Sequence, residues 1–182
     1  MAKQSRYQAR IYVDTCIFLN VIKREAGLWP DSLKMLLAAE RGDIQLVAST
    51  LLLAEVASRR GDVDPAIRDA VISQYLENLD VEWCEVDLFT VADARAICDR
   101  YEMRGADAVH LATAVRRRAD YFVSRDGGFP FGEVVGARTQ VVRPVILWNP
   151  TIDDMRVDAE AKDERWAHRP RATKKPQVHP QG

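Results

Sequence analysis

The 182-residue sequence lacks any apolar run of the 18 or so residues that a membrane-spanning helix requires, and its opening, MAKQSRYQARIYVDT, has no secretory-type apolar stretch. No membrane association is expected, and the cytoplasm is the expected address. Charge of one sign is also lacking: 26 Lys and Arg stand against 27 Asp and Glu. A net charge of −1 excludes a globally cationic nucleic-acid coat, so affinity for a polyanion must come from local patches or from bound metal. Cysteine is scarce. Cys16, Cys84 and Cys98 are odd in number and show no C-x-x-C spacing, which argues against a disulfide framework and against a zinc knuckle. Nine Gly and eight Pro are too few and too scattered for a low-complexity chain. No G-x-x-x-x-G-K-[ST] or G-x-G-x-x-G stretch is present, so nucleotide-dependent chemistry has no phosphate loop to stand on.

What remains, 47% hydrophobic and 29% charged residues at this length, describes one globular domain with a core of normal size. Hydrophobic periodicity supplies the elements. Ile11 to Val13 reads as a strand ending at Asp14, followed by a helix from Thr15 to Glu25. A second helix runs from Pro30 to about Arg41, and Ile44 to Ala48 reads as a buried strand. Ser49 or Thr50 caps a helix that holds Leu52, Glu55 and Val56 and ends at Gly61. A helix at 65–78, a strand at 81–86, helices at 89–101 and 107–118 and a strand at 121–124 follow. The last strand is expected at 141–147, with Pro144 placing it at a sheet edge. Alternating strands and helix pairs predict an α/β fold with a mostly parallel central sheet covered by helices on both faces. The domain is expected to span 1–150. Residues 151–182 read as a polar extension, with a short helix capped by Thr151 and Asp154 and then a mobile basic tail containing Arg169, Arg171, Lys174 and Lys175.

In such a sheet the carboxyl ends of the strands face the ligand crevice, and two strands run into aspartates, Asp14 and Asp126. Glu55, on a largely apolar helix, can reach the same crevice, while Asp107, in the first turn of another, must be carried there by the connecting loop, a placement the topology permits without proving. Each has a bland reading as well: Asp14 as a helix cap, Asp126 as a turn former before Gly127 and Gly128, and Asp107 as a dipole-favoured acid. Together they are costly. Two carboxylates ~5 Å apart at an effective dielectric of ~20 repel by roughly 3 kcal/mol. A hard cation relieves that repulsion, and a carboxylate set without His or Cys suits Mg²⁺ or Mn²⁺. Such a cation can supply a nucleophilic hydroxide and stabilise the leaving oxygen of a phosphodiester.

With these residues located, the chain resembles the PIN-domain family, in particular its VapC-like ribonuclease toxins. The resemblance rests on Tyr12-Val13-Asp14-Thr15, Leu52-Leu53-Ala54-Glu55-Val56, Asp107-Ala108-Val109-His110-Leu111-Ala112-Thr113-Ala114 and Phe122-Val123-Ser124-Arg125-Asp126, and covers about residues 10 to 150. It implies a PIN-like three-layer fold. It further implies that Asp14, Glu55, Asp107 and Asp126 hold Mg²⁺ or Mn²⁺, with Ser124 as a supporting hydroxyl. Endonucleolytic cleavage of RNA, a homodimer and a small neutralising antitoxin that blocks the acidic crevice are implied with them. The position two after the first aspartate is often Asn in that family and is Cys16 here, and the extension after residue 150 is longer than in the typical small toxin.

Other readings stand beside this one. A housekeeping RNA-processing nuclease and a non-catalytic PIN-like binding module use the same fold. Asp14-Thr15-Cys16 also resembles the start of aspartyl-phosphate hydrolases, although Cys16 stands where those usually carry a second Asp. Cys16 with His110 as base would make a nucleophilic pair, against a buried thiol and a packed, hydrogen-bonded histidine. Lys23-Arg24, Arg59-Arg60 and Arg116-Arg117-Arg118 read either as solvated charge or as phosphate contacts. Trp148 and Trp166 read as packing or as base-stacking surfaces.

Overall fold

The computed structural model describes residues 8–58 and 64–167. Strand β1 (Ala9–Val13) leads into α1 (Thr15–Ile22) and α2 (Trp29–Glu40), and β2 (Ile44–Ser49) into α3 (Thr50–Ser58) and α4 (Pro65–Ile72). A π-helical turn (Ser73–Glu77) extends α4 before β3 (Glu82–Cys84), and α5 (Leu88–Tyr101) and α6 (Gly105–Arg116) precede β4 (Tyr121–Val123). The short β5 (Val134–Val135), then β6 (Thr139–Val142) and α7 (Ile152–Ala167) complete the order.

Several helix starts follow from local chemistry. Asp64 accepts from the Ala66 amide at 2.9 Å with Pro65 at the first helical position of α4, and Asp87 accepts from the Thr90 amide at 2.7 Å at the head of α5. Asp154 reaches back to the Thr151 amide at 2.8 Å, so the expected Thr-x-x-Asp cap does start α7, which extends through 16 residues.

One six-stranded sheet has the order β3-β2-β1-β4-β6-β5, parallel except for the β5–β6 pair. Strand alternation sorts the core. Ile11 and Val13 face a cluster with Phe18, Met35, Leu36 and Leu52, while Tyr12 faces the opposite side with Leu111, Phe122 and Val141. Both faces are covered, as a parallel sheet requires.

The structure corrects the end of the sheet. The last strand stops at Val142, Pro144 lies outside it, and the edge belongs to β5. The missing amide of proline ends the ladder instead of marking an edge within it. The two-residue β5 is too short for alternation to reveal. Gly136 lies in the β5–β6 turn at φ +66°, where an added Cβ would stand 2.4 Å from Val115 Cγ1 of α6.

After β6 the chain crosses to the amino ends of the strands, where Trp148 donates to Asp154 at 3.2 Å, and α7 then packs along α2. Trp29, Val157 and Ala161 form a small apolar cluster there, and the buried Lys34 bonds Asp158 at 2.8 Å and Asp31 at 3.0 Å. Among the described residues no helix is long and apolar enough to cross a membrane.

Candidate active site

The chain builds β1, β2 and β3 outward in one direction and then returns to place β4 on the other flank of β1. That reversal opens a crevice at the carboxyl ends of β1 and β4, the place where open α/β sheets bind ligands. Val13 pairs with Val123 in register, and the Asp14 amide continues the ladder by donating to the Val123 carbonyl at 3.0 Å. The residues after β1 and β4 are thereby held side by side.

Asp14 serves two purposes. Its Oδ1 accepts from the Thr15 amide at 2.7 Å and caps α1, while its Oδ2 accepts from the Ser124 hydroxyl at 2.7 Å. Ser124 is fully buried, and its Oγ also accepts from the Asp126 amide at 3.0 Å. One hydroxyl therefore locks the two strand-end aspartates in relation to each other. Asp126 Oδ1 accepts from the Gly128 amide at 3.0 Å, the turn-forming contact expected of it.

The other two acids arrive on helices. Glu55 of α3 is fixed through Oε2, which accepts from Thr15 Oγ1 and lies 3.0 Å from His110 Nε2. Asp107, in the first turn of α6, has its carboxyl pushed above the ordinary aspartate range, by burial first and then by the charges of Asp126 and Asp14. His110 and Arg104 oppose that shift and do not overcome it.

The four selected carboxylates line one cleft of about 310 Å³, together with a fifth acid, Glu25, and with Thr15, Cys16, Asn20, Lys23 and Arg125. A larger cavity of about 640 Å³ lies at the opposite end of the strands, lined by Asp43, Asp120 and Trp148, and contains none of the four. Among the described residues no three ligating side chains are drawn into a ready-made cation cage. The donor set nevertheless fits a hard divalent ion: oxygen ligands only, with mutual repulsion that a cation would relieve.

Cys16 and His110 do not form a nucleophilic pair. Burial, followed by the Asp14 charge, pushes the Cys16 thiol up to about 12, and its sulfur accepts from the Arg125 amide at 3.3 Å and lies 3.6 Å from Ser124 Oγ. His110 bonds Glu55 and Tyr12 instead. Of the basic candidates, Lys23 reaches the cleft, whereas Arg24 pairs with Glu160 and stacks over Trp29 at 4.5 Å. Arg116 closes α6 far from Asp107 and is held by Asp93 at 2.9 Å. Trp148 is a packing residue with a satisfied indole. Arg59, Arg60, the Trp166 side chain, the Gly61 stop and the tail basic residues lie outside the described residues. Thr15 and Arg125 were missed by spacing arguments, although Arg125 stands between two selected residues. Its guanidinium bonds Asp31 at 2.9 Å and lies on the cleft wall.

Comparison with known proteins agrees with this fold. VapBC2 from Rickettsia felis, bound to a DNA fragment from its promoter, matches with a TM-score of 0.51 and 14% identity over 77% of this chain and 99% of that one. A toxin-antitoxin complex from Klebsiella pneumoniae gives 0.51 and 18% over 75% and 99%. FitAB bound to an IR36 DNA fragment gives 0.52 and 17% over 78% and 99%. No curated protein sequence matches the chain. The family model described as PIN domain matches residues 11–131, from the middle of β1 to just past the Asp126 turn, and the chain belongs to the PIN domain family.

Proposed function

We propose that this protein is an endoribonuclease that hydrolyses RNA phosphodiester bonds with Mg²⁺ or Mn²⁺ and acts as the toxin of a toxin-antitoxin pair. The observation that carries the reading is the gathering of Asp14, Glu55, Asp107 and Asp126 in one cleft, with the Asp107 carboxyl raised by burial first and then by the charges of Asp126 and Asp14. A binding module released from catalysis has no use for that repulsion. Asp14, Asp107 and Asp126 would hold the first cation, and Glu55 a second cation or its water. When bound, the metal supplies an activated water and stabilises charge on the leaving oxygen. Ser124 keeps Asp14 and Asp126 at fixed separation, and Thr15 bonds Glu55. Lys23 and Arg125 give a near-neutral protein a local cationic wall for the RNA backbone.

An antitoxin partner is supported by the fold-level likeness to a chain of a toxin-antitoxin complex. A homodimer and a cytoplasmic setting belong to the same proposal. The test is cleavage of a mixed pool of structured RNAs by purified protein with Mn²⁺, beside EDTA and beside Asp14→Asn and Asp107→Asn. Discrete products that vanish in all three controls are expected. Activity that survives both substitutions refutes the site, and a folded protein that neither binds Mn²⁺ nor cleaves supports the non-catalytic module.

A further inference from the structure

A buried polar chain runs from the sheet to Glu55, and none of the chemistry above makes use of its inner end. Tyr12 is fully buried at the centre of β1 and His110 is 1% exposed on α6. Burying a hydroxyl and an imidazole is costly unless every polar atom finds a partner, and a Phe and Leu pair would fill a similar space without that cost. Here the partners form a directed sequence. The Ser49 amide donates to Tyr12 Oη at 3.2 Å, Tyr12 Oη lies 2.7 Å from His110 Nδ1, and His110 Nε2 lies 3.0 Å from Glu55 Oε2.

The proton positions follow from Glu55, whose carboxylate can only accept, so His110 Nε2 carries the proton between them. With the imidazole proton on Nε2, the bare Nδ1 accepts from the tyrosine hydroxyl, and a lone pair of Tyr12 Oη takes the Ser49 N–H. Ser49 Oγ, 3.4 Å from Nδ1, lies on the same accepting edge. The rings have little room to turn: Tyr12 meets His110 edge-on at 5.9 Å and stacks on Phe122 at 5.5 Å, which packs on Phe129 at 4.6 Å.

We propose that Tyr12 and His110 are positioning residues that hold the Glu55 carboxylate in place for the cation or water it engages, an inference that rests on the nuclease reading above. The spacing on α6 gives it a structural logic. Asp107 and His110 stand three residues apart on one helix, so a single turn presents one carboxylate to the cleft and orients a second carboxylate carried by α3. Hydrogen bonds to ligating carboxylates typically change metal affinity or activity 10–100-fold when removed, roughly the effect expected here.

The experiment combines two readouts. Mn²⁺ binding by isothermal titration calorimetry is measured for wild type, His110→Leu, His110→Gln and Tyr12→Phe, and the imidazole ¹⁵N shifts of His110 are recorded in metal-free protein. His110→Leu is expected to bind Mn²⁺ roughly 10–100-fold more weakly, with His110→Gln, which keeps an N–H near the Nε2 position, restoring most of the loss. The wild-type ring is expected as the Nε2–H tautomer, with Tyr12→Phe mixing in the other form. Wild-type affinity in a folded His110→Leu protein, a Gln variant as weak as Leu, or an Nδ1–H ring in wild type each overturns the proposal. Should His110→Leu fail to fold, the Gln and Phe variants and the tautomer decide. Wild type that binds no Mn²⁺ brings down the metal reading and this role with it, an outcome distinct from a binding wild type beside an unaffected His110→Leu.

Discussion

Replacing Ser124 by alanine removes one oxygen and disturbs two aspartates. The hydroxyl donates to Asp14 Oδ2 at 2.7 Å and accepts from the Asp126 amide at 3.0 Å, in a position with no solvent exposure. A hydrogen bond to a charged group contributes about 1.5–3 kcal/mol, and the part-buried bond from the Asp126 amide about 0.5–1.5 kcal/mol. The two losses share one atom and do not add in full, so a destabilisation of about 2–4 kcal/mol is expected for the metal-free protein. Urea unfolding at neutral pH in EDTA measures it. Metal supplies the second half of the argument: a ligand at 100 times its Kd stabilises by about 2.7 kcal/mol, and a tenfold weaker site at the same concentration by only about 1.4 kcal/mol. Ser124→Ala should therefore lose both intrinsic stability and about half of the Mn²⁺-dependent increment. A variant within about 0.5 kcal/mol of wild type, the range of ordinary surface substitutions, refutes the view that this hydroxyl locks the two strand ends.

Asp107→Asn is expected to stabilise the metal-free protein. A carboxyl whose folded pKa is raised contributes stability that is fully present below its unfolded pKa and lost as pH rises through the folded value, so at neutral pH it is a cost that Asn removes. The gain, about 1–3 °C in Tm after solvent screening, should vanish as pH falls below the ordinary aspartate range, and Mn²⁺ should reverse the order of the two proteins. Asp154 behaves in the opposite sense. Burial pushes its carboxyl up, but bonds from Thr151 and Trp148 and the Arg41 charge outweigh that and hold it low. Asp154→Ala should cost about 2–4 kcal/mol at neutral pH, and the gap to wild type should shrink as pH falls through the depressed value, as pH-dependent urea melts will show. Gly136→Ala combines a left-handed backbone with a Cβ driven onto Val115, an expected loss of about 2–4 kcal/mol that Val115→Ala should partly recover in calorimetric melts.

The sheet was readable because β1 and β2 are dense in apolar residues and end at polar ones, and because helices announce themselves by caps such as Thr151 with Asp154 and by Pro30 and Pro65. Strand ends were less readable. Nothing in Val81 to Val86 tells which residues pair, and β3 uses only Glu82–Cys84 because its register is set by Val47 to Ser49 of the neighbouring strand. The α7 contact was hidden for a related reason: Val157 and Ala161 make a narrow apolar stripe on a mostly polar helix, and its partner Trp29 is more than a hundred residues away. At the site, the acids could be selected singly, but the Thr15 and His110 bonds to Glu55 depend on where three helices cross, which no local spacing encodes.

Three of the four selected acids are also sound structural residues, so their presence alone decides nothing. Asp14 caps α1, Asp126 closes a turn and Glu55 is anchored by two side chains. Asp107 is the exception. An aspartate in the first turn of a helix should have its charged form favoured by the helix dipole, and its pKa should fall. It rises instead, because burial and then the charges of Asp126 and Asp14 outweigh His110 and Arg104. Asp14, Glu55 and Asp126 thus have structural bonds to account for them, whereas at Asp107 burial is joined by the repulsion of two other acids, which a single Asn would remove. That retained repulsion, located where β1 and β4 part, is what a cation would relieve.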